Sequence, residues 1–147
     1  MQLGRCPVCH SRISLEQLTQ DESGRELLAT LATLDTATGA ALVAYIGLFR
    51  SASRDLANDR ALKLVREVVA LESPQWLTPA LQETVEGLRE KRAQGDVQPL
   101  KNHNYLGKVL EGVIKRGIAY TPAQENVRGY KSADAAVGRL TDTSWAD

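Results

Sequence analysis

Cys6 and Cys9 stand three positions apart, with Pro7 and Val8 between them and His10 directly after. Two thiolates at this spacing can chelate one tetrahedral metal ion, and the proline restricts the turn that joins them. Each thiol gives up its proton when the metal binds, which the positive charge of the ion favours. Zinc suits such a set, with Cys6, Cys9 and His10 as ligands. The chain has no third cysteine and one other histidine, His103. A closed structural site therefore needs His103, a carboxylate, water or a second chain to complete it. Three other readings stay open. Two reduced thiols in a metal-free turn need no further ligand. CxxCH is also the attachment pattern of c-type haem, which requires export. A thioredoxin-like redox pair expects a preceding strand and a helix opening at the motif, and neither pattern is evident here.

The second chemically suggestive stretch is Lys101-Asn102-His103-Asn104-Tyr105, which runs on to Lys108, Lys115 and Arg116. Lys101, Asn102 and His103 put donors at the start of an expected helix, where backbone N–H groups already favour phosphate. Lys108 and Lys115 lie seven apart, close to one helical face, and continue a track suited to a nucleic-acid backbone. Tyr105 can stack on a base. The plainer alternative packs Tyr105 into the core and leaves the lysines as solvated surface. From Lys101 to Lys131 six Lys or Arg face only Glu111 and Glu125.

No constellation for catalysis is evident. The carboxylates are spread along amphipathic helices, where they usually serve as solvated faces. No P-loop, GxGxxG, HExxH or GxSxG sequence occurs. The chain therefore reads as a non-enzyme.

These residues need a scaffold. The 147 residues allow one domain with a small appendage. Hydrophobic residues make up 43% and aromatics only 5%, a mix that favours aliphatic helix packing over a β-sandwich. The expected fold is all-α: a bundle of about five helices over residues 14–116, a Cys knuckle at 1–13 and a flexible tail at 117–147. Ser14 opens a short helix, and a second runs from about Asp21 to Leu34. The run 35–39 reads as a loop before an apolar central helix over 40–50. A long amphipathic helix then extends from about Arg54 to Leu71, burying Leu56, Leu64, Val68 and Leu71 on one face. Ser73-Pro74 breaks the pattern, and Thr78-Pro79 is the expected cap and first position of the next helix. The last helix covers roughly 103–115. In the tail, Tyr120, Tyr130, Leu140 and Trp145 are spaced apolar anchors suited to a partner protein.

Lys plus Arg equal Asp plus Glu at 18 each, which argues against a global attraction to nucleic acid or membrane. No secretory or membrane-spanning segment is read, so a reducing, cytoplasmic setting is expected.

Tyr105-x-x-x-Val109-Leu110-x-x-Val113 with a partly basic tail behind it resembles the closing helix of DnaD-like domains, which carry Tyr-x-x-x-Ile-x-x-x-Trp. Val109 stands here for the isoleucine and Val113 for the tryptophan. The resemblance covers about ten residues, and a helical body behind a Cys knuckle is also similar to small prophage replication-module proteins. It implies an accessory protein of phage or prophage DNA replication that binds DNA, the replicative helicase, or both. A module that redirects a host protein without touching DNA is the alternative.

The metal reading has a direct check. Protein purified without chelator is expected to carry zinc by elemental analysis, and Cys6→Ser to have lost it. Zinc-free wild-type protein would leave the metal-free turn.

Overall fold

Two aspartates decide where helices begin. In the computed structural model, which describes residues 2–5, 12–51, 53–96 and 98–122, Asp21 caps α2 (Glu22–Ala32) and accepts the Gly24 N–H at 3.1 Å. Asp35 does the same for α3 (Thr36–Ile46), accepting the Thr38 N–H at 3.1 Å. Each carboxylate satisfies a first-turn amide and meets the positive end of the helix. The central helix thus starts at Thr36, inside the stretch expected to be a loop, and ends in a short 3-10 turn at Gly47–Phe49.

The all-α body continues with α4 (Asn58–Val69), α5 (Pro74–Ala93) and α6 (Asn104–Arg116), and α1 (Leu15–Gln20) precedes it. Ahead of α1, β1 (Gln2–Arg5) pairs antiparallel with β2 (Arg12–Ser14), where the sequence showed no regular pattern. Cys6, Cys9 and His10 lie outside the described residues, as do Tyr130, Leu140 and Trp145. Helix α3 packs along α5, α5 along α6, and α2 along α4. Leu42, Tyr45, Val68, Leu77, Leu81, Leu106 and Val113 form the dry centre. Helix α3 is not buried all round: Val43 is 55% exposed. Helix α4 starts later than expected, at Asn58, and Asp55 ahead of it pairs with Arg50. Leu71 falls beyond its end and is exposed. No helix among the described residues is long and apolar enough to cross a membrane.

Pro79 does not open α5. The helix begins five residues earlier with Pro74 in its first turn and holds Pro79 in its interior. A proline there has no N–H for the carbonyl four residues back. That carbonyl belongs to Gln75, and it accepts the Tyr120 N–H at 2.7 Å instead. Gly117, at φ +68°, ends α6, with its N–H on the Ile114 carbonyl and the Ile118 N–H on that of Val113. This left-handed cap turns the chain back toward α5.

The Tyr120 hydroxyl donates to Asp35 Oδ2 at 3.0 Å. Thr38 Oγ1 donates to Asp35 Oδ1, and Thr78 Oγ1 lies 2.6 Å from Thr38 Oγ1. Each hydroxyl has one proton: Thr38 gives its own to the carboxylate, so the line ends on a charge, and Thr78 Oγ1, which also lies 2.8 Å from the Pro74 carbonyl, has that carbonyl or Thr38 Oγ1 as its acceptor. Asp35 thereby ties α3, α5 and the segment after α6 together. The Thr38 hydroxyl, ahead of the opposing effect of burial and the bonds from Thr38 N–H and Tyr120, holds its carboxyl below the usual carboxylate range.

A depressed folded-state pKa contributes stability that is present above the unfolded value, about 4, and lost as pH falls through the folded one. Asp35→Asn should therefore melt below wild type at pH 7 by the equivalent of about 1 kcal/mol, with the gap closing in strong acid. Tyr120→Phe should cost a similar amount at pH 7. Thermal melts of both variants at pH 7 and pH 3 check this, and unchanged melting at pH 7 would deny the tie any stabilising role.

Candidate functional site

Burial leaves the Tyr45 hydroxyl one outlet. Its ring is fully buried on α3, edge-on to Phe49 at 5.5 Å between centroids, and desolvation pushes the phenol far above its ordinary range. The hydroxyl keeps its proton and lies 2.8 Å from His103 Nδ1. His103 Nε2 in turn lies 3.1 Å from Glu67 Oε2 on α4. The tautomer with its proton on Nε2 serves both contacts: it accepts from Tyr45 and donates to Glu67. Phe49 packs beside the imidazole at 5.3 Å. Tyr–His–carboxylate lines can run acid–base chemistry. Here the terminal hydroxyl is sealed in the core, beyond the reach of any substrate, so the line is a structural tie. It also engages both nitrogens of His103, which was a candidate for phosphate contact and for completing a metal site.

The other α6 residues divide into two sets. Tyr105 is half-buried, with Lys91 Nζ 4.8 Å from its ring centroid. Its hydroxyl sits over Gly87 on α5, where an added Cβ would come within 3.2 Å. Arg116 pairs with Glu83 at 2.7 Å and bonds the Gly112 carbonyl. Both side chains have partners within the chain, Arg116 at the surface. Lys101, Asn102, Lys108 and Lys115 are exposed. Asn102 Oδ1 accepts the Asn104 N–H at the start of α6. Glu111 lies three residues after Lys108 and four before Lys115 on the same helical face, which weakens the track along α6.

A stronger positive site lies where residues 50–60 meet 99–101. A cleft of about 460 Å³ is lined there by Arg50, Arg54, Arg60 and Lys101, with Leu56 and Leu100 among its apolar walls. Asp55 is the one carboxylate lining it, and it pairs with Arg50 at 3.0 Å. Among the described residues the side chains of Arg54, Arg60 and Lys101 hold no hydrogen bond or ion pair. The Leu48 carbonyl fixes the far wall by accepting the Leu100 N–H at 3.0 Å and Arg92 Nη2 at 2.8 Å. Lys101 was singled out from sequence and Arg54 and Arg60 were not. Their signal was three arginines within eleven residues around an irregular turn. Among the described residues no group of three or more His, Cys, Asp or Glu side chains can hold a metal.

A family model described as HI_1489_N, N-terminal domain, matches residues 1–102. That span contains every residue lining the cleft and ends before α6. A protein of Haemophilus influenzae (strain Rd), described as uncharacterized, is 46% identical over 117 residues, covering 76% of this chain. The chain spans less than two thirds of that relative's length, 64%. No solved structure matches the chain.

The Tyr45 tie predicts an asymmetry. His103→Ala strands a buried hydroxyl and should lower stability by about 1–3 kcal/mol, whereas Tyr45→Phe removes the hydroxyl together with its need and should cost less. Urea unfolding of both variants decides it; equal losses would mean that His103 matters through packing alone.

Proposed function

We propose that this chain, which belongs to the family of the HI_1489_N N-terminal domain, is a non-enzymatic accessory protein of phage or prophage DNA replication, working in the cytoplasm and binding DNA. The reading is carried by one observation. Lys101, Lys108 and Lys115 are exposed and hold no side-chain partner among the described residues, and Lys101 also lines the arginine-rich cleft. Cations without carboxylate partners in a chain of zero net charge provide local attraction to a polyanion. The resemblance of the Tyr105–Val113 segment to DnaD-like domains supplies the replication setting. In this reading Lys101, Asn102, Lys108 and Lys115 contact the backbone, while His103, Tyr105 and Arg116 hold α6 in place. The replicative helicase, or another replisome protein, is the partner for the segment that carries Tyr130, Leu140 and Trp145.

A second reading has its own support. Ile114 and Ile118 are 41% and 44% exposed on either side of the Gly117 turn. Apolar side chains at that place suit a protein partner and a role without DNA.

Fluorescence anisotropy with single-stranded and duplex DNA at two salt concentrations tests the first reading. Micromolar binding at low salt, weakened by added salt and by Lys108→Ala/Lys115→Ala, is the expected result. No binding at low salt would overturn it in favour of the protein-only module.

A further inference from the structure

We infer that the cleft between the 50–57 turn, the start of α4 and the 99–101 segment is a binding site for a nucleotide unit: phosphate on its arginines, and the base and sugar against its apolar walls.

Charge comes first. Four cations line the cleft against one carboxylate, and that carboxylate is committed to Arg50. Arg54, Arg60 and Lys101 remain, brought together with no acidic partner among the described residues. Like charges held in a concave site repel one another, and low-dielectric walls concentrate their field. An anion that enters relieves this repulsion. Elsewhere on the body Arg66 pairs with Glu26, Arg116 with Glu83, and Lys63 with Glu67 at 3.9 Å, while Arg89, Lys108 and Lys115 hold no side-chain partner among the described residues. What sets the cleft apart is that three such cations line one concave wall.

The number of cations selects the anion. A lone carboxylate would engage one arginine fork and leave the other cations unmet. A phosphate carries more charge and offers several acceptor oxygens to guanidinium groups, which bind it in pairs of parallel bonds. The walls then select its body. Leu56, Ala57, Pro99 and Leu100 give the cleft an apolar side, which inorganic phosphate would not use. A volume of about 460 Å³ falls within the range of small-molecule sites, roughly 300–1,000 Å³. A flat, partly apolar group bearing phosphate matches both halves of the site, and a nucleotide unit has that chemistry.

Such a unit can arrive free or within a single strand. The strand form rests on the DNA reading above, since Lys101 would pass the strand on toward Lys108; the free form does not. Two labelled probes separate the sources: short oligo(dT) and a fluorescent deoxynucleoside triphosphate. Each is titrated by anisotropy against the full chain, against Arg54→Ala/Arg60→Ala and against Lys108→Ala/Lys115→Ala. Polyglutamate serves as competitor, and melting curves check that the variants fold. Arg54 and Arg60 are both exposed, so their removal should leave the fold intact.

The expected result is that Arg54→Ala/Arg60→Ala weakens binding of at least one probe by tenfold or more, about the effect of one charge-assisted contact. Lys108→Ala/Lys115→Ala should leave triphosphate binding within about twofold, a change too small for a lost contact. Oligonucleotide binding that depends on Lys108 and Lys115 but not on the arginines would overturn the cleft and leave the DNA reading standing. Triphosphate binding that depends on the arginines, with no oligonucleotide binding, would sustain the cleft and overturn the DNA reading. Polyglutamate competing as well as oligo(dT) would overturn the nucleotide assignment in favour of an acidic peptide. Failure of both probes to bind would overturn both.

Discussion

The buried hydroxyl of Tyr45 constrains more of this molecule than any other group. A phenol at the centre of an aliphatic core must find an acceptor or forfeit the bond it had in water. The acceptor is His103, and His103 belongs to the residues that open α6. The second nitrogen then reaches Glu67 on α4. One hydroxyl thus specifies how α3, the start of α6 and α4 meet. Just ahead of His103, the Leu100 N–H on the Leu48 carbonyl holds Pro99, Leu100 and Lys101 as a wall of the cleft.

A comparable constraint acts at the other end of the same helices. Pro79 interrupts the hydrogen-bond ladder of α5 and frees the Gln75 carbonyl, and the returning chain fills the gap with the Tyr120 N–H. The hydroxyl of the same tyrosine completes the Asp35–Thr38–Thr78 network. Polar ties of this kind have direction where aliphatic packing has none. Leu, Ala and Val side chains fill a core in many arrangements, so a chain with few aromatics gains definition from a few buried polar contacts. Thr84 departs from the pattern, since its buried hydroxyl has no partner among the described residues.

The helices were legible in the sequence because apolar residues recur at helical spacing, and α2, α4 and α6 are amphipathic. The boundaries were less so, for identifiable reasons. Asp35 looked like part of a loop because Thr, Ala and Gly follow it, yet its carboxylate caps α3. Pro79 looked like a first-turn proline because Thr78 precedes it, yet Pro74 already fills that position. At Asp35 the deciding bond is local, from the Thr38 N–H three residues on, but its Asp-x-x-Thr pattern is shared by turns; at Pro79 it is long-range, from Tyr120 to the Gln75 carbonyl, and local pattern does not contain it. The same limit hid the candidate site. Lys101 stood out beside Asn102 and His103, whereas Arg54 and Arg60 belong to it only through a fold that brings residues 50–60 against 99–101. His103 and Tyr105, read as ligand contacts from their types, are held by Tyr45, Glu67 and Lys91.

Net neutrality and a local cluster of unpaired cations are compatible because pairing on this surface is selective. Acidic residues opposite Arg66 and Arg116 cancel those charges across helix contacts, where an ion pair also helps to hold two elements in register, and Glu67 lies one turn from Lys63 on α4 itself. Such exposed pairs add little stability individually, so nothing compels every cation to have one. Three of the cations left over meet at the cleft. Arg54 lies ahead of α4, where no carboxylate one turn away can reach it as Glu67 reaches Lys63; Arg60 stands in the first turn of α4 and Lys101 ahead of α6. Segments that meet at helix ends thus gather unmet charge along a concave wall. A binding site of this kind needs no catalytic group. It needs a rigid core to hold the wall and a turn that regular secondary structure does not neutralise, and the Tyr45 tie provides the first while residues 50–57 provide the second.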